Sequence, residues 1–256
     1  MTLPITPAVT GCRGAGGRDG GAPIGYACKM VPYHSVTLTF DNGPEPGVTE
    51  AVLDALAARR IAATFFVLGR KLATRSGMAL ATRARAEGHR IGNHTFFHQI
   101  PLGETTDAAA AQEIGATQEL LGELAPEKLF RPLGGGGRLG PHLLSAAARD
   151  LLVADGFTCV VWNAVPRDWC DPEDWPTTAL TQIAAHRAEG RPTVLVLHDL
   201  PTGAMRHLPG FLDRLAAENV RFVQDFPDEV VLIRNGRPMP GCERYVTARV
   251  ATPAVG

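Results

Sequence analysis

After residue 35 the chain alternates between short apolar runs and longer segments in which apolar residues recur every three or four positions. The short runs predict seven strands, at residues 36–40, 63–68, 89–92, 128–131, 157–162, 193–197 and 220–223. The longer segments predict six helices, at residues 48–60, 72–87, 107–123, 141–154, 177–189 and 205–218. Strands that alternate with helices pair in parallel through right-handed crossovers. The pattern therefore predicts an α/β fold, and both an open doubly wound sheet and a closed barrel fit it.

Residues 1–29 differ from the rest of the chain, because they are rich in glycine, proline and alanine and show no apolar periodicity. We expect an irregular N-terminal extension over residues 1–30, either a flexible segment or one upstream of the native start. One folded domain is predicted over residues 31–235, followed by a C-terminal tail over residues 236–256. The first residues contain no apolar core of a secretory signal, so we expect a cytoplasmic location.

The composition argues against several classes of protein. A net charge of −1 over 256 residues does not favour a nucleic acid or an acidic membrane surface as partner. No apolar run reaches the roughly 20 residues that a membrane-spanning helix needs. The five cysteines are scattered without CxxC spacing, which argues against a disulfide framework and a cysteine-zinc site. The sequence indicates no protein partner.

Polar side chains with catalytic potential follow five of the predicted strands. They are Asp41 and Asn42 after the first strand, His94 and His98 after the third, Arg131 at the end of the fourth, Asp168 and Trp169 after the fifth, and His198 at the sixth. In alternating α/β folds, active sites form where the strands end and the loops begin. We therefore expect these side chains to lie on one rim of the sheet.

His94 and His98 are candidate metal ligands. On one helical turn, side chains four positions apart share a face and can bind one ion. Two histidines that merely pack near a strand end are the alternative, but the carboxylate and amide of Asp41 and Asn42 favour a metal site. Zinc suits imidazole and oxygen ligands together. Asp41 is then either a ligand or a general base, and Arg131 is either its ion-pair partner or a surface charge.

His198 and Asp168 form a second candidate pair. A single histidine after an apolar strand is commonly a satisfied core residue, but on this rim it could instead protonate a leaving amine. Asp168 could orient that histidine, or it could form a salt bridge within its own loop. The sequence alone leaves both alternatives open.

The stretches TFDNGP, HTFFH, FRP and LVLHD, with the Asp168–Trp169 pair before the last of them, resemble the ordered motifs of the polysaccharide deacetylase family. The resemblance covers roughly residues 36–225. It implies a distorted (β/α) barrel of about seven parallel strands, in which residues 31–235 are the catalytic domain. It also implies a divalent metal, for which zinc is expected, and hydrolysis of carbon–nitrogen bonds other than peptide bonds.

The resemblance further implies a role for each motif residue: Asp41 as general base, Arg131 as the group that holds it, His94 and His98 as metal ligands, His198 as general acid and Asp168 as the carboxylate that tunes it. Asn42 stands where the family has a metal-binding aspartate, and its amide oxygen is expected to coordinate. Gly134 replaces a tyrosine but keeps the backbone N–H that would bind an oxyanion. Trp169 is expected to contact the substrate.

These residues predict N-deacetylation of an N-acetylated sugar or oligosaccharide. A hydrolase of a small or cyclic amide, with or without a metal, is one alternative. An inactive barrel that only binds carbohydrate is another, although binding alone would not require Asp41, His198 and both metal histidines. The expected partner is thus a carbohydrate or a small amide.

Overall fold

The computed structural model describes residues 34–248 of the chain. The strands in this part are β1 (His34–Asp41), β2 (Thr64–Val67), β3 (Arg90–Asn93), β4 (Leu129–Phe130), β5 (Thr158–Val160), β6 (Thr193–His198), β7 (Val220–Val223), β8 (Val231–Arg234) and β9 (Arg237–Pro238). The α-helices are α1 (Thr49–Ala57), α2 (Gly69–Leu72), α3 (Arg75–Ala86), α4 (Asp107–Leu121), α5 (Ala146–Ala154), α6 (Trp175–Ala188) and α7 (Leu208–Ala217). Among the helices of residues 34–248, none is long and apolar enough to cross a membrane.

The strands form one sheet that curls into a distorted (β/α) barrel. Neighbouring strands follow the order β6-β1-β2-β3-β4-β5-β8-β9, and β7 pairs with the first half of β1. The pairings among β1 to β7 are parallel. A parallel bridge between Ala164 and Leu195 links the segment after β5 back to β6. The α/β barrel expected from the sequence is confirmed.

β1 positions the site because its side chains alternate between two surroundings. Val36, Leu38 and Phe40 are fully buried in a hydrophobic cluster that residues of α1, α3, α6 and α7 complete. Successive side chains of a strand point to opposite faces. Thr39 and Asp41 therefore face away from these helices, into the barrel, where both contact the same arginine.

The seven strands and six helices predicted from the sequence are present near their predicted positions. The helix predicted over residues 72–87 corresponds to α3, and its first residue, Leu72, instead ends the short α2. α3 begins after Thr74, which has an extended backbone (φ −83°, ψ 149°) and whose Oγ1 caps the helix by accepting the N–H of Gly77 at 3.0 Å.

An antiparallel hairpin, β8 and β9, was not predicted. β8 pairs with β5, and β9 folds back on β8 through a turn at Asn235 and Gly236, which have φ values of 48° and 75°. Asn-Gly between two short strands is a strong signal for a hairpin of this kind. The hairpin is therefore predictable from the local sequence around Asn235 and Gly236.

The residues after the turn pack on the barrel. Cys242 and Val246 are buried in the hydrophobic cluster around β5 and β8, and Val246 forms a bridge with Leu144. The predicted boundary after residue 235 thus falls inside the hairpin, and residues 236–248 are folded rather than a tail, because they bury apolar surface. The predicted extension over residues 1–30 lies outside the described residues.

Candidate active site

The carboxylate of Asp41 ends β1 and is held by a buried guanidinium. Arg131, directly after β4, donates from Nη1 to Asp41 Oδ1 at 2.9 Å and to Thr39 Oγ1 at 2.7 Å. Its Nη2 donates to the carbonyl of Val161 at 3.2 Å, and the guanidinium carbon lies 4.1 Å from the centre of the Phe66 ring. Burial lowers the pKa of Arg131 and Asp41 opposes that shift. Arg131 is therefore a buried partner of Asp41 and not a surface charge.

His94 lies beside Asp41 with its ring fixed by a carbonyl. Nδ1 donates to the backbone oxygen of Arg131 at 2.7 Å, and Nε2 lies 3.7 Å from Asp41 Oδ2. Because a carbonyl can only accept, the proton is on Nδ1 and Nε2 carries a lone pair. Burial lowers the pKa of His94 to about 3, so the ring is neutral near neutral pH. A neutral imidazole whose other nitrogen bonds a carbonyl is the usual form of a metal ligand.

His98 lies in the same cleft as His94. The segment that joins them, residues 94–98, is called the histidine loop here, and it is not the helical turn that the spacing predicts. The loop is irregular, and Thr95 and His98 have positive φ values of 68° and 58°. The helical prediction was wrong because the N–H groups of this loop bond outside it, to Glu113 of α4. The rings of His94 and His98 nevertheless meet, with centroids 4.5 Å apart. Burial, followed by the neighbouring His94, lowers the pKa of His98 to about 3.

Asn42 brings an amide oxygen to the cleft. Its backbone is left-handed (φ 75°), and its N–H donates to the carbonyl of Phe66 at 3.2 Å. Its Oδ1 is buried and has no hydrogen-bond partner among the described residues. A buried polar atom without a partner costs roughly 1–3 kcal/mol. A bound cation would give this oxygen the partner that it lacks.

His94, His98 and Asn42 line one cleft, and their donor atoms are of the kinds that bind a divalent cation. Across residues 34–248, no group of three His, Cys, Asp or Glu side chains could hold a metal ion. The third donor here is instead an amide oxygen. Two neutral imidazoles and one oxygen suit zinc, and they leave coordination positions open for water and substrate.

His198 ends β6, where it is the register partner of Asp41 on β1. Its Nδ1 donates to Asp168 Oδ1 at 2.8 Å, and its backbone N–H donates to Asp168 Oδ2, also at 2.8 Å. Burial lowers the pKa of His198, but the hydrogen bond and charge of Asp168, together with the charges of Asp41 and Asp199, outweigh burial and leave the pKa raised. The ring of Trp169 packs edge-on against the His198 ring, with 4.6 Å between the two ring centroids. Asp168 therefore orients His198, which is its ion-pair partner.

Known proteins with similar sequences identify the family. The polysaccharide deacetylase family model matches residues 29–150. A chitooligosaccharide deacetylase from Rhizobium leguminosarum bv. trifolii is 33% identical over 166 residues, which cover 64% of this chain and 71% of the relative. A peptidoglycan-N-acetylglucosamine deacetylase from Bacillus cereus is 30% identical over 183 residues, which cover 69% of this chain and 79% of the relative. The chain belongs to the polysaccharide deacetylase family.

Solved structures agree with this assignment. The family 4 carbohydrate esterase from Streptomyces lividans in complex with acetate matches with a TM-score of 0.63 and 25% identity, over 78% of this chain and 97% of that one. A family 4 acetyl xylan esterase from Clostridium thermocellum in complex with a cobalt ion matches with a TM-score of 0.57 and 26% identity. The match covers 74% of this chain and 87% of the esterase. This polysaccharide deacetylase is a hydrolase of carbon–nitrogen bonds other than peptide bonds, as expected from the sequence. Deacetylases of this family are in general metal-dependent.

The active-site cleft of this polysaccharide deacetylase has a volume of about 200 Å³, and glycines 134–137 form one of its walls. At Gly134 a Cβ would lie 2.2 Å from the Trp162 ring, so the indole occupies the space beside this residue. The Gly134 N–H donates to no protein acceptor within the described residues. It is therefore available to a developing oxyanion. Trp169, predicted as a substrate contact, also lines the cleft.

Three residues that the sequence reasoning missed support the site. Thr39 Oγ1 accepts from Arg131 and donates to the carbonyl of Leu195 at 2.8 Å, which ties β1, β4 and β6 together. Glu113 anchors the histidine loop, and Trp162 packs against Gly134. Thr39 could have been found, because it stands two residues before Asp41 and a strand alternates faces. Glu113 gave no local signal, and the position of Trp162 at the end of a predicted strand did not indicate its contact with Gly134.

Proposed function

We propose that this enzyme removes the acetyl group from an N-acetylated amino sugar of a chitooligosaccharide or of peptidoglycan, with zinc as its cofactor. The curated relatives named above carry these two substrates in their names. One observation supports the proposal most strongly. Asp41 and His198 are register partners at the ends of adjacent strands, each has its own buried charged partner, and both line one cleft.

The proposed metal would be held by His94, His98 and Asn42. Both imidazoles are neutral, and the Asn42 oxygen lacks a partner, so the donors are ready to coordinate without first losing a proton. When bound, a zinc ion supplies Lewis acidity, which acidifies water and polarises an acyl oxygen.

The protein side chains would move the protons. Asp41 Oδ2, the oxygen that does not bond Arg131, takes the proton of the attacking water. His198, kept protonated on Nε2 by Asp168 on the other side of its ring, donates its Nε2 proton to the amide nitrogen as the carbon–nitrogen bond breaks, which releases acetate and the free amino sugar. The backbone N–H of Gly134 donates to the oxyanion of the tetrahedral intermediate. Arg131 moves no proton and keeps Asp41 in place.

The competing activity is hydrolysis of a small or cyclic amide without metal. A substrate panel would separate the two: acetate release from tri-N-acetylchitotriose and from peptidoglycan fragments, and ring opening of cyclic amides. Each reaction would be run on protein stripped of metal and again after addition of zinc. We expect acetate release that requires zinc. Ring opening by the stripped protein, with no acetate from either saccharide, would contradict the proposal.

A further inference from the structure

The carboxylate of Glu113 accepts hydrogen bonds from successive backbone N–H groups of the histidine loop. Glu113 lies in the middle of α4, and its Oε2 accepts the N–H groups of Phe96 at 2.8 Å, Phe97 at 2.9 Å and His98 at 3.4 Å. Successive N–H groups aimed at one point form a concave anion site. Here the anion is a side chain of the protein itself.

The same helix also holds the start of the loop. Asn93, the last residue of β3, donates from Nδ2 to the carbonyl of Ile114 at 2.9 Å and accepts the N–H of Thr95 at 3.0 Å. Glu113 and Ile114 are adjacent in α4. Two neighbouring residues of one helix therefore fix both ends of the loop.

The conformation of the loop requires such support. Thr95 and His98 lie in the left-handed region, with φ values of 68° and 58°. Non-glycine residues are uncommon there, and a β-branched threonine is especially disfavoured. Strained conformations of this kind persist only where the surrounding structure over-determines them. Without Glu113, the N–H groups of residues 96–98 would lose the acceptor that holds this geometry.

We propose that Glu113 is a positioning residue, which fixes His98 relative to His94 and thereby sets the metal affinity of the site. The inference rests on the proposed function, in which both histidines bind the metal. Glu113 acts through the backbone, because its bonded oxygen is engaged by N–H groups. Glu113→Ala removes the acceptor, whereas Glu113→Gln keeps an oxygen in its place without the charge. Glu119→Ala is the matched control, since Glu119 is an exposed residue of the same helix.

The first measurement is hydrogen–deuterium exchange in the metal-free protein, which does not depend on the metal. We expect faster exchange of the Phe96 and Phe97 amides in Glu113→Ala, partial recovery in Glu113→Gln, and no change in Glu119→Ala. Unchanged exchange in Glu113→Ala would overturn the inference. If the alanine variant fails to fold, as shown by circular dichroism, the glutamine variant provides the test.

The second measurement is zinc affinity by competition with a chelator. Removal of a group that orients a metal ligand typically costs about 10- to 100-fold in affinity, and we expect a loss of that size in Glu113→Ala. The glutamine variant should recover part of it, and Glu119→Ala should bind like the wild type. Faster exchange with unchanged zinc affinity would refute the positioning role and leave the proposed function intact. A wild-type protein that binds no zinc would refute the metal site itself, and the positioning role with it.

Discussion

Asp168→Asn tests how this deacetylase keeps His198, its proposed general acid, protonated. The carboxylate of Asp168 accepts two hydrogen bonds, one from His198 Nδ1 and one from the His198 backbone N–H. An amide of the same shape has one accepting oxygen and one donating NH₂ group. If the oxygen keeps the backbone bond, the NH₂ group faces Nδ1 and disfavours a proton there. If the amide is reversed, the backbone N–H faces a donor.

The size of the effect follows from the hydrogen bond that is lost. A hydrogen bond to a charged group contributes about 1.5–3 kcal/mol, and this one is buried, with the His198 side chain only 12% exposed. Since about 1.4 kcal/mol corresponds to a factor of ten in rate, kcat/KM should fall about 10- to 150-fold. The fall is absent below both pKa values, grows as the pH rises through the lowered pKa of His198 in the variant, and is complete once the pH exceeds the wild-type pKa.

The assay is the pH dependence of kcat/KM for acetate release. Because Asp168 raises the pKa of His198, the protonated acid is present below that pKa and is lost as the pH rises through it. Asp168→Asn lowers the pKa, so the alkaline limb of the profile should move to lower pH. Asp174→Asn, which changes an exposed aspartate nearby, is the control. An alkaline limb and kcat/KM equal to those of the control would refute the role of Asp168.

Two further predictions concern Arg131 and Asn42. Arg131→Leu leaves the buried carboxylate of Asp41 without its partner and should lower the free energy of unfolding by about 3–5 kcal/mol in urea titrations. Arg214→Leu, which breaks an exposed ion pair, should cost about 1 kcal/mol at most, and equal losses in the two variants would contradict the burial argument. Asn42→Asp adds an anionic oxygen and should tighten zinc binding in a competition titration. Unchanged affinity would remove Asn42 from the metal site.

The sequence predicted those features that local patterns determine. Strand ends are visible as the point where an apolar run stops, so the positions of Asp41 and His198 at the carboxyl ends of their strands followed from periodicity. The pairings of Asp41 with Arg131 and of His198 with Asp168 were among the alternatives that the sequence left open, and the contacts in the structure decide for them. The distances between these side chains could not be predicted from the sequence, because they depend on how strongly the sheet curls.

The features that the sequence missed depend on contacts between distant segments. The spacing of His94 and His98 resembles a helical turn, but Glu113, 15 to 17 residues further on, captures the N–H groups that a helix would use. Thr39 meets Arg131 across 92 residues of chain. The β8–β9 hairpin is different, because its Asn235–Gly236 turn is a local signal that indicates a hairpin across residue 235.

Asp41 is the proposed base of a zinc-dependent deacetylation. The most direct test measures acetate released from tri-N-acetylchitotriose by metal-stripped wild-type protein and by Asp41→Asn, before and after the addition of zinc, with zinc binding measured on the same samples. We predict that wild-type protein releases acetate only after zinc is added, and that Asp41→Asn binds zinc and releases none. Acetate release by the zinc-loaded Asp41→Asn variant at the wild-type rate would contradict the account.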